Sequence, residues 1–176
     1  MELRTERLVL RPLTMDDAED VFEYARNPVV GQNAGWKPHE SLEETCEVMR
    51  LVFLDQPAVW GMELNGKIVG TVGLIDDPKR SLPEVKLLGY ALGEPYWGKG
   101  LMTEAVRAVC HCGFEQLGLI AISATTYPEN ARSKRVLEKV GFQKEGHLQW
   151  AERSYQSELK DFDCWLLLPE NLRLED

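Results

Sequence analysis

Two glycines that flank a lysine, Gly98-Lys99-Gly100, are the residues whose types and spacing point most directly to chemistry. They lie between a strand-like run and the helix-like stretch 101–117. Glycine lets backbone amides approach a ligand closely, and the N-terminus of a helix holds a partial positive charge. Together these properties are typical of a loop that binds phosphate. The sequence therefore predicts a phosphate site at the start of this helix.

The same segment comes close to a nucleotide-binding P-loop but lacks its metal ligand. Counting from Gly93 gives Gly-x-x-x-x-Gly-Lys-Gly, and Gly100 stands where a P-loop requires Ser or Thr to hold magnesium. Glu94 would repel phosphate, and Pro95 has no amide proton to donate. Nucleotide triphosphate hydrolysis is therefore disfavoured. These residues alone leave two interpretations, metal-free phosphate binding and a tight turn into a helix.

Length and charge exclude several classes of protein. The chain has 176 residues, of which 44% are hydrophobic, and this predicts a single domain over residues 1–176. A formal net charge of -9 argues against nucleic acid as a partner, because clustered Lys and Arg bind its phosphates. The charged start of the chain does not resemble a signal peptide, and no apolar run approaches the roughly 20 residues that span a bilayer. We expect a soluble, cytoplasmic monomer or homodimer that does not contact membranes.

The segment Cys110-His111-Cys112 resembles a metal site only until it is placed on the helix that follows the glycines. Residues two apart on a helix point to different faces, so these three side chains do not converge. The four cysteines of the chain are also too scattered for a disulfide framework. We therefore expect buried thiols and no metal.

Hydrophobic periodicity predicts the elements that position these residues. Strands are expected over 8–12, 59–64, 67–74, 85–92, 120–126, 147–155 and 160–168. Helices are expected after Thr14, after Ser41, over 101–117 and from Asn130 to Gly141, with a loop over 31–39 and a buried stripe of Val48, Met49 and Val52. Asn65-Gly66 is the preferred pair for a two-residue hairpin turn. The late strand-helix-strand crossovers suit a mixed sheet with helices on its faces.

Three separated segments resemble, in the right order, motifs of the GNAT superfamily of N-acyltransferases. Residues 94–105, Glu-Pro-Tyr-Trp-Gly-Lys-Gly-Leu-Met-Thr-Glu-Ala, resemble its acetyl-coenzyme A loop, usually written Q/R-x-x-G-x-G/A. Residues 130–142 resemble the second family motif, and residues 3–11 resemble the start of the Rim-type branch, the ribosomal-protein N-terminal acetyltransferases and their relatives. The resemblance implies an α/β (α+β) fold with a mixed, mostly antiparallel sheet of about seven strands. About four helices would flank that sheet, and its central strands would be splayed.

The resemblance also implies acetyl-coenzyme A as a cosubstrate that is held without a metal. The implied contacts are Gly98, Lys99, Gly100, Leu101, Met102 and Thr103 for the pyrophosphate, Tyr90, Ala91 and Leu92 for pantetheine, and Asn130 and Ser133. Gly89, inside the strand before the loop, suggests a bulge or a close backbone approach. Pro95 stands where the general motif begins with Gln or Arg, so that side-chain contact is expected to be absent.

N-acetylation needs a neutral amine near the thioester and a proton for the departing thiolate. Many family members have a Tyr that acts as the general acid, and Leu137 stands at that position here. The resemblance therefore implies Ser133 as the proton donor to the sulfur. Leu87 stands where relatives often have a catalytic Glu, which leaves Glu63 and Glu84 as candidate bases. The candidate walls of an acceptor pocket are Trp36, Trp60, Trp150, Tyr90 and Tyr155.

The function implied by the resemblance is transfer of an acetyl group to a primary amine by direct attack in a ternary complex. The acceptor is either a protein N-terminal α-amine or a small-molecule amine. An α-amino group has a pKa of about 7.7 to 8.0, so a weak base suffices. The alternative is a coenzyme A-binding module of the same fold without catalytic activity, which Leu87 and Leu137 favour.

Overall fold

Residues 1–175, the part of the chain that the computed structural model describes, contain eight strands and five α-helices. The strands are β1 (Leu3–Arg4), β2 (Val9–Arg11), β3 (Val59–Leu64), β4 (Lys67–Asp76), β5 (Val85–Leu92), β6 (Ala121–Thr126), β7 (Gln143–Arg153) and β8 (Leu159–Leu167). The helices are α1 (Ala18–Ala25), α2 (Pro28–Ala34), α3 (Leu42–Val48), α4 (Leu101–Glu115) and α5 (Ala131–Val140). The strand order is β1-β2-β3-β4-β5-β6-β8-β7. The predicted mixed, mostly antiparallel sheet is confirmed, with β1 and α2 as additional elements.

The chain forms two compact units, and each unit is built from two separate stretches of the sequence. Unit 1 contains Met1–Gly73 and Tyr90–Ala105, and unit 2 contains Leu74–Gly89 and the chain from Val106 onward. Strands β4 and β5 and helix α4 each pass from one unit into the other. The backbone therefore crosses between the units inside regular elements.

Unit 1 begins with the antiparallel strands β1 to β4. The predicted hairpin turn joins β3 and β4, with Asn65 at φ 53° and Gly66 at φ 81°. Helix α1 begins after Thr14, whose amide donates to the Asp17 carboxylate at 2.8 Å, as expected for a capped start. One buried cluster of this unit contains Leu13, Ala18, Val21, Tyr24, Ala25, Val30, Met49, Ile68 and Ala91.

The segment after α1 differs from the prediction in two places. The loop expected over 31–39 is helical up to Ala34, because the Asn27 side chain caps α2 and Pro28 occupies its first turn. After α3 the chain makes a π-turn, in which the Leu54 amide donates to the Met49 carbonyl at 2.9 Å. The extra residue in that turn rotates Val52 outward, so the expected burial of Val52 is wrong while that of Met49 is right.

Unit 2 contains the parallel pair β5 and β6 and the antiparallel strands β8 and β7. The parallel register runs from Val85 opposite Ala121 to Leu88 opposite Ala124, although β5 itself continues to Leu92. The two strands are therefore paired over only the first half of β5. This limited register agrees with the predicted splay of the central strands.

Candidate active site

The loop before α4, in unit 1, has the backbone geometry expected of an anion-binding loop. Gly98 and Gly100 have φ values of 73° and 78°, the left-handed region that favours glycine. The first hydrogen bond of α4 joins the Glu104 amide to the Gly100 carbonyl at 3.0 Å. A helix leaves its first amides without intrahelical acceptors, so the amides of 101–103 are oriented toward the loop.

The predicted phosphate contacts divide into two kinds of residue. Gly98, Lys99 and Gly100 are exposed, whereas the side chains of Leu101, Met102 and Thr103 are buried. Any contact from the three helical residues to a phosphate must therefore come mainly from the backbone. Lys99 is the exposed cation of the loop, and its ammonium lies 5.7 Å from the ring centre of Tyr96.

Two side chains hold the loop to its surroundings within unit 1. The Trp97 indole N–H donates to the Leu92 carbonyl at 2.7 Å. Nη1 of Arg7 donates to the Lys99 carbonyl at 2.8 Å. The loop is therefore fixed at one end to β5 and at its centre to the N-terminal segment.

Glu104, in the first turn of α4, forms an ion pair beneath the loop. Its carboxylate accepts hydrogen bonds from the amide and Nε of Arg7 at 2.8 and 2.7 Å, and another from the Thr5 hydroxyl. Burial opposes ionisation of this carboxylate, but the hydrogen bonds from Thr5 and Arg7 outweigh it and lower the Glu104 pKa. Glu104 is therefore ionised at neutral pH and paired with Arg7.

The predicted pantetheine contacts lie at the end of β5 in the same unit. Ala91 and Leu92 are buried, and Tyr90 is half-buried. A Cβ at Gly70 of β4 would lie only 2.4 Å from the Ala91 carbonyl oxygen, so glycine is needed for this close approach of the two backbones. No described atom lies within 4 Å of a Cβ built at Gly89, so no neighbouring part of the described chain packs there, and the approach of a coenzyme at Gly89 stays a prediction.

In unit 2, Asn130 and Ser133 form the start of α5. The Asn130 side chain accepts a hydrogen bond from the Ser133 amide at 3.1 Å, so the predicted helix cap is confirmed. Ser133 is half-buried in the first turn, where the helix dipole favours negative charge nearby. Leu137, one turn further on, is fully buried and packs in the core. Contact of Asn130 or Ser133 with a coenzyme stays a prediction.

Tyr127 and Glu152 form a pair in unit 2 that was not predicted. The Tyr127 hydroxyl donates a short hydrogen bond to the Glu152 carboxylate. Burial, and then the neighbouring carboxylate, raise the pKa of Tyr127, so the phenol stays protonated. Tyr127 directly follows β6 and lies three residues before Asn130, whose amide donates to the Tyr127 carbonyl at 3.0 Å. Through Tyr127, the half-buried Glu152 carboxylate is thus linked to the segment that leads into α5.

The strand β7, which contains Glu152, has a large bulge. Between Leu148 and Glu152, three residues of β7 lie opposite the single residue Asp161 of β8. Trp150, in the middle of the bulge, has φ 51° and a side chain that is 76% exposed. Its amide donates to the Asp161 carboxylate at 2.8 Å. The bulge breaks the strand alternation that sequence reasoning assumes, which explains why Glu152 was not predicted.

A charged cluster lies beside the bulge. His147 contacts Asp163 through Nδ1 at 2.9 Å and Asp161 through Nε2 at 3.2 Å. The hydrogen bond to Asp163 is the largest of the effects that raise the His147 pKa. Asp163 is buried and also contacts Lys134 at 2.8 Å and Lys144 at 2.7 Å. This network joins α5, β7 and β8 within unit 2.

The two candidate bases from the sequence are placed differently. The Glu63 carboxylate accepts a hydrogen bond from Nε of Arg11 at 2.6 Å, and Arg11 also pairs with Asp17. The Glu84 side chain is exposed, and only its backbone is fixed, by the Ile120 amide at 3.0 Å. Glu63 is thus held in an ion pair and Glu84 is exposed, and a role as base stays a prediction for both.

The three predicted pocket tryptophans also have different surroundings. Trp60 is 1% exposed, and its indole N–H donates to the Met1 carbonyl, so it is a core residue in this structure. Trp36 is half-buried against the core of unit 1. Trp150 is the exposed member of the set. A role in acceptor binding stays a prediction for all three.

The thiols of Cys110 and Cys112 are buried, whereas His111 is exposed, so the three side chains do not converge on one point. No group of three or more His, Cys, Asp or Glu suited to a metal ion occurs within residues 1–175. In the same part of the chain, no helix has the length and apolar character needed to cross a membrane.

Comparison with known proteins defines the class. Residues 7–143 match the family model described as acetyltransferase (GNAT) domain. An uncharacterized N-acetyltransferase from Bacillus subtilis, YoaA, is 32% identical over 156 residues, which cover 84% of this chain and 85% of the relative. The chain therefore belongs to the GNAT acetyltransferase family, and it is an N-acetyltransferase of the acetyl-coenzyme A-dependent type.

Solved structures confirm the fold. A GNAT-family acetyltransferase from Bacillus anthracis superimposes with a TM-score of 0.84 at 26% identity, over 97% of this chain and 99% of that one. RimJ from Mycobacterium smegmatis, in complex with CoA-disulfide, gives a TM-score of 0.76 at 24% identity, over 97% of this chain and 87% of that one. Both superpositions extend over nearly the whole chain, so the fold described above is that of solved acetyltransferase structures.

Proposed function

We propose that this chain transfers the acetyl group of acetyl-coenzyme A to a primary amine by direct attack in a ternary complex. The observation that supports this best is the loop before α4, with left-handed Gly98 and Gly100 and the first amides of the helix behind it. Backbone amides of this kind bind a pyrophosphate without a metal. Acetyl-coenzyme A supplies an activated thioester, and the chain supplies the positions for the two reactants.

On the donor side, the loop 98–100 and the amides of 101–103 would hold the pyrophosphate, with Lys99 as an added cation. The end of β5, Tyr90 to Leu92, would pair its backbone with pantetheine. Pairing between β5 and β6 ends at Leu88, whereas β5 continues to Leu92. This supports the assignment, because the last residues of β5 are not paired with β6.

Ser133 is the proposed donor to the departing sulfur. Its hydroxyl lies in the first turn of α5, and Asn130 fixes the backbone at that point. A thiolate gains from both a hydroxyl donor and the positive end of a helix. The residue one turn further along is Leu137, which is buried and has no proton to donate.

Glu152 is the proposed base for the amine, directly or through one water. Its carboxylate is half-buried and is oriented by the Tyr127 hydroxyl. Unlike Glu63, it has no ion pair with arginine within residues 1–175. Because an α-amine has a pKa of about 7.7 to 8.0, a carboxylate is basic enough for this step near neutral pH.

The acceptor is proposed only as a primary amine, either a peptide N-terminus or a small molecule. Trp150 is the exposed aromatic residue nearest in sequence to Glu152, and we include it in the acceptor surface. A single domain over residues 1–176, a cytoplasmic location, and a monomeric or homodimeric state remain predictions.

The test is thiol release from acetyl-coenzyme A by the purified chain, against a panel of amines and N-terminal peptides. We expect turnover with at least one acceptor, and a fall in kcat of about 100-fold in Glu152→Gln, in the usual range for loss of a general base. Glu129→Gln is the matched control, because that carboxylate is exposed and bound only loosely to Lys160. Tight coenzyme A binding without thiol release across the panel would instead indicate the binding module without activity.

A further inference from the structure

Arg7 links the N-terminal segment to the coenzyme loop within unit 1. Its side chain makes three contacts: Nε and Nη2 each lie 2.7 Å from the same Glu104 carboxylate oxygen, and Nη1 lies 2.8 Å from the Lys99 carbonyl oxygen. Nη2 is also the nearest atom to a Cβ built at Gly100, at 3.3 Å. One guanidinium group therefore lies against both the loop and the first turn of α4.

Glu104 lies in the first turn of α4, next to the proposed pyrophosphate site, and its charge affects that site. A carboxylate in the first turn of a helix stabilises the helix, but it competes with an anionic ligand for the same positive terminus. Glu104 is ionised and only 16% exposed on its side chain, so water screens its charge poorly. Without a counter-charge it would oppose the pyrophosphate that the loop amides are proposed to hold.

We propose that Arg7 is a positioning residue for the coenzyme loop, which fixes the Lys99 carbonyl and neutralises Glu104 so that the start of α4 can accept a pyrophosphate. This inference rests on the proposed function, because it assigns a role toward the same coenzyme. Arg7 acts through the loop and through Glu104 rather than on the reacting atoms. Its loss should therefore change coenzyme affinity and leave the chemical step alone.

The contact geometry is specific to arginine. A planar guanidinium presents several donors in fixed directions, and here these reach a carboxylate on one side and a carbonyl on the other. Lysine keeps the charge but has one compact ammonium on a flexible stem. Arg7→Lys should thus retain the neutralisation of Glu104 and lose the contact with the Lys99 carbonyl.

The first experiment compares Arg7→Met with Arg4→Met by calorimetric titration with coenzyme A and by steady-state kinetics with acetyl-coenzyme A. Arg4 is the matched control, because it is 73% exposed and pairs with Glu2 on the surface. For Arg7→Met we expect about tenfold weaker coenzyme binding, in keeping with loss of a charge-assisted contact, and an equal rise in KM with kcat nearly unchanged. Arg4→Met should bind coenzyme A like the wild type.

A second pair of variants separates charge from simple support of the loop. Arg7→Met combined with Glu104→Gln removes both charges, so coenzyme affinity should return toward that of the wild type. If Arg7 were only a mechanical support, the double variant would bind no better than Arg7→Met. Arg7→Lys, which keeps the charge and should fold, is expected to lie between the wild type and Arg7→Met.

Normal coenzyme binding by Arg7→Met, or a double variant as weak as the single one, would overturn the inference. Failure of the proposed function is distinguishable, because the wild-type chain would then release no thiol with any acceptor while the coenzyme A titrations of the variants still report on Arg7. A wild-type chain that does not bind coenzyme A would overturn both proposals. Thermal unfolding of each variant without ligand distinguishes a weaker site from an unfolded chain. If Arg7→Met does not fold, an Arg7→Lys variant identical to the wild type in affinity and KM would equally overturn the proposal.

Discussion

Ser133 is a small polar side chain whose proposed role depends on its place in the first turn of α5. Ser133→Ala removes the hydroxyl and keeps the backbone cap from Asn130, so the fold should be preserved. Because the thiolate would then leave without its donor, we expect kcat to fall about 100-fold with little change in KM for acetyl-coenzyme A. Steady-state thiol release measures both parameters.

The control for this change is Ser81→Ala, the same substitution at an exposed loop position of unit 2. It should leave kcat unaltered. If the Ser133→Ala variant is as active as the Ser81→Ala variant, the Ser133 hydroxyl has no role in the mechanism. Equal losses in both variants would show that the assay reports general damage rather than a catalytic hydroxyl.

Gly100 and Gly66 have nearly the same backbone conformation, with φ of 78° and 81°, in two different places. Alanine in the left-handed region costs about 1 to 2 kcal/mol, so both Gly→Ala variants should lose similar stability. Only Gly100→Ala places a methyl group in the coenzyme loop, 3.3 Å from Arg7. We expect a raised KM for acetyl-coenzyme A in Gly100→Ala alone, and equal KM values in the two variants would contradict the loop assignment.

The residues that sequence reasoning placed correctly are those whose role depends on the local backbone. Gly98 and Gly100 are left-handed, and Asn130 caps its helix, as the pattern of glycines and capping residues indicated. Arg7 and Glu152 were not predicted, because each acts through a partner far away in sequence. Arg7 and Glu104 are 97 residues apart in sequence, so no local pattern predicts their contact.

At the scale of the elements, the bulge in β7 holds an exposed tryptophan in an unfavourable backbone conformation. Trp150 at φ 51° is strained, and such strain persists at sites with a function. Asparagine tolerates this conformation well, so Trp150→Asn should leave the melting temperature equal or slightly raised. If the bulge presents Trp150 to the acceptor, the same variant should raise KM for the acceptor, as measured by steady-state kinetics.

Leu148→Asn is the comparison for that variant, because Leu148 is 41% exposed on the same strand but outside the bulge. We expect it to keep the wild-type KM. A Trp150→Asn variant that is stable and has an unchanged acceptor KM would remove Trp150 from the acceptor surface.

The His147 network predicts how the β7–β8 hairpin responds to pH. Hydrogen bonds to Asp163 and then Asp161 raise the His147 pKa in the folded state. The resulting stabilisation is complete below the unfolded pKa of about 6.5 and is lost as the pH rises through the higher folded value. We expect the difference in melting temperature between wild type and His147→Gln to shrink over that range.

Melting curves from about pH 5 to about pH 8 cover the titration of a histidine. NMR titration of the His147 ring would give its folded pKa directly. A difference between wild type and His147→Gln that grows with pH would contradict the assignment, because the sign would be that of a group with a lowered pKa.

Element prediction succeeded where the period of apolar residues was intact and failed where the backbone departed from it. The strands β3 and β4 and their Asn65-Gly66 turn follow the pattern closely. The π-turn after α3 and the bulge in β7 each insert residues that shift the pattern, so Val52 and Glu152 were misplaced or missed. The short helix α2 was missed because Asn27 and Pro28 start it within a polar segment.

For the whole molecule, the division into two units raises the question of how the chain unfolds. Because β4, β5 and α4 each run through both units, neither unit has a continuous chain of its own. We expect a single cooperative transition, with calorimetric and van't Hoff enthalpies that agree. Two resolved transitions would contradict the prediction of one domain over residues 1–176.

The family could be predicted from sequence at this scale because its motifs are local segments in a fixed order. The family match over residues 7–143 contains the segments 94–105 and 130–142 and most of the segment 3–11. The acceptor could not be predicted in this way. The residues proposed for it, Trp150 and Glu152, lie in or beside the β7 bulge, and Glu152 is held by Tyr127, 25 residues away in sequence, so local pattern does not reveal them.

The most direct test of the central claim is a coupled measurement on the purified wild-type chain with acetyl-coenzyme A and a panel of amines and N-terminal peptides. Free thiol is measured in solution, and the acceptor is examined by mass spectrometry. If the chain transfers acetyl groups to amines, we expect equal amounts of free coenzyme A and of an acceptor whose mass has increased by one acetyl group at its amine. Coenzyme A binding without either product, for every acceptor in the panel, would contradict it.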